Sequence, residues 1–483
     1  MPGVVYGKGE DSTNVQVDAK TFETLYRTAG RTSVVKFRIP GHNRASSGFI
    51  KSVQRHPVLS ILIVLGIALG VGVSTTFMTA YHVLAGDPVP GKSGALHYVR
   101  INAWGSPDNP FREGPPPLLS YRDTREILKS KVPVRSTASF ASRMTIFPNR
   151  SKERPFRENV RLITSDFFAM FNAPFQYGSV WGKAEDAKPE ALAVISSALN
   201  ERLFGGQNSV GRTFRLDDRD FKVAGVLAPW RPRVRGYTLI GDPLDAPEAV
   251  FIPMEWVGPM EVRVSGNQYT WRTPEPEEAN LPFIDQLVLG ESMFIQLWVE
   301  LPDEARVKAF QSYLDAYVAE QKKLGRFPHK PDNRVTPMMA LMEELRVVPP
   351  QTKALAAISL LFLVVAALNL IGLFLGKFLA RASTVGVRRA LGASRGTIFF
   401  QHLVECELMG LVGGTLGVLL SVGGLAILNR VYGDGPDGVP FFQLDVSMIG
   451  AAVVLSLVAG AIAGLYPAWR ICAIPPARHL KAQ

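Results

Sequence analysis

Four long apolar runs constrain this chain more than any other feature of its 483 residues. No Asp, Glu, Lys or Arg occurs between Arg55 and Asp87, and three later runs of similar length are almost as apolar. A helix needs about 20 apolar residues to cross a bilayer. We therefore predict four transmembrane helices, at residues 58–85, 354–376, 399–429 and 446–469.

The basic residues are concentrated beside these runs, which indicates how the chain is oriented in a membrane. The net charge is +11, residues 1–57 contain nine Lys and Arg against four acids, and residues 377–395 contain five basic residues and no acid. Cytoplasmic loops of membrane proteins carry such an excess, whereas a nucleic-acid footprint would be spread over a folded surface. We predict a multi-pass protein of the bacterial inner membrane, in contact with the lipid bilayer and not with nucleic acid, with both termini cytoplasmic.

The predicted spans divide the rest of the chain into six segments. The predicted fold class is membrane α-helical, with a large mixed α/β periplasmic domain inserted between transmembrane helices 1 and 2. In chain order, we predict a cytoplasmic N-terminal extension (1–45), a membrane-surface helix (46–57), the periplasmic domain (86–350), a cytoplasmic coupling loop (377–398), a periplasmic loop (430–445) and a cytoplasmic tail (470–483).

Within residues 86–350, short strand-like and helix-like patterns alternate, which is typical of a mixed α/β domain. Residues 213–227 alternate in polarity on both sides of Asp217 and Asp218, which predicts a hairpin. The helix that follows Ser196 is predicted to end at Gly205. Residues 229–291 are rich in Pro, Gly and charge and predict an inserted lobe or long loops.

Pairs of glycines four residues apart occur in the predicted spans. Such pairs let the backbones of two helices approach closely, either within one chain or between two subunits, and both readings stay open here. The predicted helix-packing residues are Gly66, Gly70, Gly410, Gly414, Gly460 and Gly464.

The stretch Gly86–Ser93, GDPVPGKS, matches the pattern of a phosphate-binding loop. Such a loop needs a strand before it, a helix after it and free backbone N–H groups. Here an apolar span precedes the motif, a strand-like segment follows it, and Pro88 and Pro90 remove two donors. We therefore predict that it is a rigid exit from the membrane and binds no nucleotide.

Patterns typical of enzyme sites are not found in the sequence. The seven histidines have no metal-binding spacing, and no G-x-S-x-G motif occurs. We predict no catalytic, cofactor-binding or metal-binding residue in this chain and no enzymatic activity of its own.

Three separated stretches resemble one known family. Residues 385–421, VGVRRALGASRGTIFFQHLVECELMGLVGGTLGVLLS, are similar to the signature of FtsX-like permeases, and residues 463–481, AGLYPAWRICAIPPARHLK, to the closing pattern of that family. Residues 194–227 resemble the core of the periplasmic domain of MacB-type ABC transporters. The chain is thus identified as a member of the MacB/FtsX-like permeases, of the type VII, mechanotransmission superfamily.

The resemblance implies a function and a set of partners. It implies the permease subunit of an efflux or export system, which transmits ATPase-driven motion across the inner membrane to its periplasmic domain. Only about 57 residues precede the first span, so the split version is expected, in which a separate ATPase dimer binds ATP and Mg. Other implied partners are a second permease copy or paralogue and a periplasmic adaptor (membrane fusion) protein.

Two other outputs fit the same architecture. One is a signalling subunit that activates a periplasmic cell-wall hydrolase, as cell-division FtsX does, and the other is a lipoprotein-extraction permease. The sequence identifies neither the transported substrate nor a homodimer or heterodimer, and it assigns no role to residues 1–45.

The basic loop between spans 2 and 3 is the predicted contact with the ATPase. Val387 and Leu391 would be apolar anchors in a groove of the ATPase. Alternatively, the arginines of this loop could serve only to set the membrane topology. A second candidate contact is the surface helix around Ser47–Arg55, and Glu405 and Glu407 are expected to contact Arg388 or Arg389. The predicted coupling residues are Val387, Arg388, Arg389, Leu391, Gly392, Ala393 and Arg395.

Overall fold

The computed structural model describes most of the chain. The described residues are 3–4, 16–17, 56–102, 114–148, 154–188, 190–270, 272–327, 330, 332–432 and 440–473. The predicted N-terminal extension and surface helix lie almost wholly outside these residues, as do most of the predicted cytoplasmic tail and the middle of the 430–445 loop.

The helices fall into four long and nine short segments among the described residues. In chain order they are α1 (Pro57–Ala85), α2 (Tyr121–Ile127), α3 (Phe167–Met170), α4 (Lys183–Ala187), α5 (Ser197–Phe204), α6 (Pro276–Ala279), α7 (Phe283–Leu289), α8 (Glu304–Lys323), α9 (Met338–Glu344), α10 (Pro350–Leu379), α11 (Ala382–Ala390), α12 (Arg395–Tyr432) and α13 (Val446–Ala473). Two short 3₁₀ helices span Gly236–Thr238 and Met254–Val257.

Fifteen strands are described, most of them between α1 and α10. They are β1 (Gly3–Val4), β2 (Gln16–Val17), β3 (Leu96–Arg100), β4 (Leu119–Ser120), β5 (Arg135–Phe147), β6 (Phe156–Ile163), β7 (Phe175–Gly178), β8 (Leu192–Ile195), β9 (Thr213–Leu216), β10 (Arg219–Leu227), β11 (Val250–Pro253), β12 (Val264–Ser265), β13 (Tyr269–Thr270), β14 (Ser292–Glu300) and β15 (Arg334–Pro337).

The chain forms two compact units. The first, which we call the helical unit, comprises residues 1–75, 360–420 and 446–483. The second, which we call the α/β unit, comprises residues 76–359 and 421–445. The long helices α1, α10 and α12 each contribute residues to both units.

The four long helices confirm the predicted number of membrane-crossing candidates among the described residues. Their most apolar stretches have a mean hydropathy of 2.1 to 2.7, and they are long enough to cross a bilayer. Large apolar side chains such as Leu69, Leu361 and Val454 are more than half exposed on these helices. In water such exposure would be unfavourable, whereas in a membrane these side chains face lipid.

Thirteen of the described strands form one mixed sheet in the α/β unit. Its main path runs in the order β15–β3–β14–β5–β6–β11–β8–β10–β7. Apolar side chains cover both faces: Leu96 and Tyr98 pack into one hydrophobic cluster, and Val99 and Ile101 pack into the other. All five residues of β3, LHYVR, are buried, so the strand shows no alternation of buried and exposed positions even though it contains His97 and Arg100.

Two local predictions in this unit are confirmed. β9 and β10 pair as an antiparallel hairpin, and Asp217 in its turn has a φ of 49°. Helix α5 ends at Gly205, whose φ of 69° lies in the left-handed region that glycine adopts most readily.

The prediction of a lobe or long loops for residues 229–291 is wrong for β11. This strand lies inside the sheet, parallel to β6 and antiparallel to β8. Its four residues are all buried. A short apolar strand between Pro-rich segments is hidden when composition is averaged over a longer window, and only its neighbours in the sheet identify it.

Candidate coupling site

The segment predicted as the 377–398 loop is largely helical. Helix α10 continues to Leu379, α11 occupies Ala382–Ala390, and α12 begins at Arg395. The prediction of a loop is therefore wrong. The segment has no proline, and its alanines and arginines favour a helix even though Gly386 interrupts them.

A tight turn ends α11. The Gly392 φ is 93°, and the Ala393 N–H donates to the Arg388 carbonyl oxygen at 3.0 Å. This geometry closes a helix at a glycine and satisfies carbonyls of its last turn. Gly392 and Ala393 thus fix the direction of the chain between α11 and α12.

The two faces of α11 differ in burial. Ala382, Val385 and Gly386 are buried within the helical unit. Val387 is 47% exposed, and Leu391, four residues later, is 83% exposed. Side chains four apart on a helix lie side by side, so these two form an apolar pair on the outer face. We call this pair the α11 apolar pair.

Arginines attach α11 to two other helices. Arg389 Nη1 donates to the carbonyl oxygen of Cys472 in α13 at 3.2 Å, and Arg388 Nη1 donates to Gln401 Oε1 in α12 at 3.1 Å. A cation near the C-terminal end of α13 is also favoured by the helix dipole. Arg395 is exposed at the first residue of α12.

A group of charged side chains lies next to α11, and we call it the Glu405 cluster. Glu405 in α12 contacts Lys377 at 3.0 Å, Arg381 at 3.4 Å and His402 at 3.7 Å. The prediction named Arg388 or Arg389 as partners of Glu405 and Glu407, and the contacts described here are different: Glu405 contacts these three side chains, Arg388 contacts Gln401 and Arg389 contacts the Cys472 carbonyl oxygen. Lys377 is fully buried, and removing one partner of a buried ion pair typically costs about 3–5 kcal/mol.

The Glu405 cluster joins three parts of the helical unit. Lys377 belongs to the end of α10, Arg381 to the connection that leads into α11, and His402 and Glu405 to the start of α12. The spacing of Lys377 and Arg381, and of His402 and Glu405, places each pair on one helical face. That spacing is the signal for each pair in the sequence, whereas the contact between the two pairs is given only by the fold.

The predicted packing glycines all lie at contacts between helices of this chain. A Cβ atom on Gly70 would lie 2.9 Å from Leu363 Cδ1, and one on Gly66 would lie 3.1 Å from Leu370 Cδ2. Helix α1 therefore approaches α10 at both glycines. Close backbone approach of this kind is typical of small residues in membrane helices.

Helices α12 and α13 meet through the remaining four glycines. Cα atoms of Gly410 and Gly460 face each other: a Cβ on Gly410 would lie 3.6 Å from the Gly460 Cα. A Cβ on Gly414 would collide with the Ser456 side chain, and one on Gly464 would lie 2.5 Å from Cys406 Sγ. Larger residues at these positions would push the two helices apart.

Hydrogen bonds hold the GDPVPGKS stretch within the α/β unit. The Val89 N–H donates to Asp87 Oδ1 at 3.0 Å, and Ser93 Oγ hydrogen-bonds to the same carboxylate. Lys92 Nζ donates to the carbonyl oxygen of Ala169 at 2.5 Å. Strand β3 follows directly, so the strand–loop–helix order of a phosphate-binding loop is not present here.

The part of the chain that the structure describes contains no group of three or more His, Cys, Asp or Glu side chains that could hold a metal ion.

Two family models match most of the chain. The MacB-like periplasmic core domain matches residues 60–317, and the FtsX-like permease C-terminal model matches residues 356–476. A third model, the Ribosomal L25p family, matches residues 1–63, nearly all of which lie outside the described residues.

Curated relatives agree with these two models. The macrolide export ATP-binding/permease protein MacB of Syntrophobacter fumaroxidans is 25% identical over 344 residues, which cover 65% of this chain and 46% of that protein. The pyoverdine export ATP-binding/permease protein PvdT of Pseudomonas aeruginosa is 26% identical over 321 residues, covering 66% and 41%. The chain spans less than half the length of these relatives.

A solved structure shows a weaker likeness. The periplasmic region of MacB from Actinobacillus actinomycetemcomitans matches with a TM-score of 0.33 and 14% identity, over 53% of this chain and 94% of that structure. The family assignment rests on the two family models.

Proposed function

Because this chain belongs to the family of MacB-like and FtsX-like ABC transporter permeases, we propose that it is the permease part of an export system. In this role it passes ATPase-driven motion across the inner membrane to the α/β unit. ATP and Mg²⁺ would bind to a nucleotide-binding domain outside these 483 residues, supplied by a separate ATPase subunit.

The observation that carries the proposal is the α11 apolar pair on a firmly held helix. Fully burying a Val or Leu side chain contributes about 1.5–3 kcal/mol, so covering Val387 and Leu391 would favour binding of a partner. The inner face of α11 is packed, and Arg389 holds it to α13. A push on the outer face would therefore move the long helices instead of bending a loop.

The basic residues support an orientation for the proposed machine. An excess of Lys and Arg around α11 supports a cytoplasmic position for this helix, where the ATPase would bind. The α/β elements lie between α1 and α10 in the chain, so the α/β unit would then be inserted between the first two spans on the periplasmic side. Both termini would be cytoplasmic.

Further partners follow from this role. An ATPase dimer requires two permease chains, so a second copy of this chain or a paralogue is proposed. A periplasmic adaptor protein would receive the motion of the α/β unit. Export is preferred to hydrolase activation or lipoprotein extraction because the MacB and PvdT relatives are named as export proteins.

Purification of the tagged chain in detergent tests the proposal. We expect an ABC ATPase to co-purify and the complex to hydrolyse ATP, whereas the isolated chain should not. Leu391→Asp places a charge in the proposed groove and should reduce the co-purified ATPase at least about tenfold, since 1.4 kcal/mol already corresponds to a factor of ten.

Leu324→Asp is the matched control, because Leu324 is 70% exposed in the α/β unit. This variant should retain the ATPase at the wild-type level. Recovery of the chain without any ATPase, or equal recovery with Leu391→Asp, would contradict the proposal. Recovery of a cell-wall hydrolase would favour the signalling alternative.

A further inference from the structure

A cavity of about 560 Å³ lies within the α/β unit, where α1 ends and α10 begins. Residues from the end of α1, from α9 and from the first turn of α10 line it, together with the short connection between α9 and α10. The coupling residues contribute nothing to it. Its volume lies in the range of roughly 300–1,000 Å³ that is typical of binding sites for small molecules.

The place of this cavity in the chain brings it next to a membrane surface. Helices α1 and α10 are both candidate membrane spans, and α1 ends at Ala85 whereas α10 begins at Pro350. Tyr81 and Lys353 line the cavity at these two ends. Tyrosine is enriched at the level of the lipid headgroups, and a lysine near the end of a span directs its charge to the same level. Lipid headgroups would therefore surround the cavity.

One wall of the cavity is apolar. Ala85, Met339, Met342 and Val348 contribute to it, and Met339 is 42% exposed. Methionine side chains are flexible and polarisable, so they adapt to the shape of an apolar ligand. Exposed apolar surface is unfavourable in water, whereas the first carbons of an acyl chain would cover it.

The charged residues of the cavity do not balance. Its lining includes two exposed cations, Arg346 and Lys353, and one carboxylate, that of Glu343. Among the described residues, none of these three side chains forms an ion pair with another charged residue. One positive charge is therefore in excess, and both cations are available to a ligand.

Arg346 has a backbone conformation that suits glycine better than arginine. Its φ is 52°, in the left-handed region, and the Val347 N–H donates to the Met342 carbonyl oxygen at 3.0 Å. This hydrogen bond closes α9 in a turn whose left-handed residue is usually glycine, because a Cβ atom is unfavourable there. An arginine at this position is not explained by the turn, which supports a role for its side chain in binding.

We propose that this cavity binds the headgroup of an anionic phospholipid from the leaflet in which α1 ends and α10 begins. The lipid phosphate would accept charge-assisted hydrogen bonds from Arg346 and Lys353, and the first acyl carbons would contact Met339 and Met342. An anionic headgroup is preferred to a zwitterionic one because it neutralises the excess positive charge. The site does not depend on the proposed coupling to an ATPase, so each proposal can fail without the other.

Protection of an introduced thiol tests the proposal at the site itself. Both native cysteines are buried, so a thiol introduced by Met339→Cys on the cavity wall should react first with an uncharged maleimide. The full chain is compared in nanodiscs of phosphatidylcholine and in nanodiscs of equal parts of phosphatidylcholine and phosphatidylglycerol. We expect phosphatidylglycerol to slow the reaction at least about fivefold. Glycerol 3-phosphate added to the phosphatidylcholine nanodiscs should not slow it.

Arg346→Gly, combined with Met339→Cys, separates binding from folding. Loss of the cation should reduce the protection by phosphatidylglycerol to less than about twofold. Glycine favours the left-handed conformation of this position, so the midpoint of thermal unfolding should be unchanged or higher. A loss of protection in a variant of unchanged or higher stability would not be a consequence of misfolding.

Two further variants in the same Met339→Cys background control for charge. Lys131 is exposed in the α/β unit and does not line the cavity, so Lys131→Gln should keep the protection within about twofold of its original value. Glu343→Gln removes the carboxylate from the cavity lining and should leave the protection equal or stronger.

Four results would overturn the proposal. Equal reaction rates in the two kinds of nanodisc would show that no anionic lipid covers the cavity wall. Equal protection by glycerol 3-phosphate would show a site for a soluble phosphate compound. Unchanged protection in Arg346→Gly, or the same loss of protection in Lys131→Gln, would show a general effect of membrane charge instead of a site.

Discussion

The helical unit and the α/β unit are held together in different ways. The fully buried side chains of the α/β unit include large ones such as Trp298, Phe140 and Tyr237. At the contacts of the helical unit, glycines and small residues such as Ala463 allow backbones to approach. The α/β unit gains stability by removing apolar surface from water, whereas lipid is as apolar as a leucine side chain and leaves close packing as the main source of helix association.

The two units also differ in where their buried charges lie. In the α/β unit Arg326 donates to Asp123 at 2.8 Å and to Glu291 at 2.6 Å, deep in a sheet-based core. In the helical unit the buried charges described above gather at the Glu405 cluster, near the ends of α10 and α12. Charges in the middle of a membrane helix are costly, and a position near a helix end lowers that cost.

The largest effect is expected from breaking the Arg326 network. Arg326→Met removes the shared cation and leaves Asp123 and Glu291 buried without it, so the α/β unit should lose about 3–5 kcal/mol of stability. Six of the seven tryptophans lie within residues 76–359, so tryptophan fluorescence during unfolding reports mainly on this unit.

Lys308→Met is the control for Arg326→Met. Lys308 and Glu304 form an exposed ion pair at 3.3 Å, and such pairs contribute about 0–1 kcal/mol. Equal losses of stability in Arg326→Met and Lys308→Met would show that a buried ion pair contributes no more to the stability of this unit than an exposed one.

In the helical unit, a methyl group added where two helices are in close contact should destabilise their packing, whereas the same group at an open position should not. A Cβ on Gly413 would lie 2.7 Å from Ile67 Cβ, so Gly413→Ala should force α1 and α12 apart at a cost of about 1–3 kcal/mol. Both cysteines lie in this unit and are buried, so faster reaction of Cys406 and Cys472 with a thiol reagent is the readout.

Gly423→Ala on the same helix provides the matched control. Apart from its chain neighbours and the backbone of its own helix, no described atom lies within 4 Å of a Cβ at this position. Alanine favours a helix over glycine by about 1 kcal/mol, so this variant should be neutral or slightly stabilised. We therefore expect Gly413→Ala to destabilise the helical unit and Gly423→Ala to leave its stability unchanged or slightly raised. A slower or unchanged reaction of the thiols in Gly413→Ala would show that the close contact is not needed.

Each of the two units has features that the sequence alone predicted and features that it did not. Long apolar runs and the Asp217 turn depend on local composition, so the four helices and the β9–β10 hairpin were predictable. Strand β11 is defined by its neighbours β6 and β8, and the Glu405 cluster joins residues of separate helices. Both depend on contacts between distant parts of the chain, which a single sequence does not reveal.

Helix α11 shows the same limit at the candidate site. Its basic residues were recognised, but the length of the connection suggested a loop. The buried positions of Val385 and Gly386 stabilise the helix by packing, and short helices depend on such packing more than on propensity. Leu391, which was chosen as a candidate anchor from its type, is exposed, and its role in binding stays a prediction.

The smallest effect concerns a half-exposed ion pair of the α/β unit and depends on pH. Two hydrogen bonds from Arg100, at 2.7 and 2.8 Å, lower the pKa of Glu344 below its ordinary value of 4.5 despite the opposing effect of burial. A carboxyl with a lowered pKa in the folded state stabilises the fold above its unfolded pKa and loses that contribution as pH falls through the folded pKa.

Glu344→Gln should therefore be less stable than the wild type by about 1 kcal/mol at pH 7, a value reduced by the partial exposure of the pair. Below about pH 4.5 the difference should shrink, because the wild-type carboxyl becomes protonated and loses its charge. Glu343→Gln, one residue earlier on α9, is exposed and should not change the acid dependence. A difference between Glu344→Gln and the wild type that stays constant from about pH 7 to about pH 3 (an interval spanning the ordinary pKa of 4.5) would show that Arg100 stabilises the fold through packing and not through the charge of Glu344.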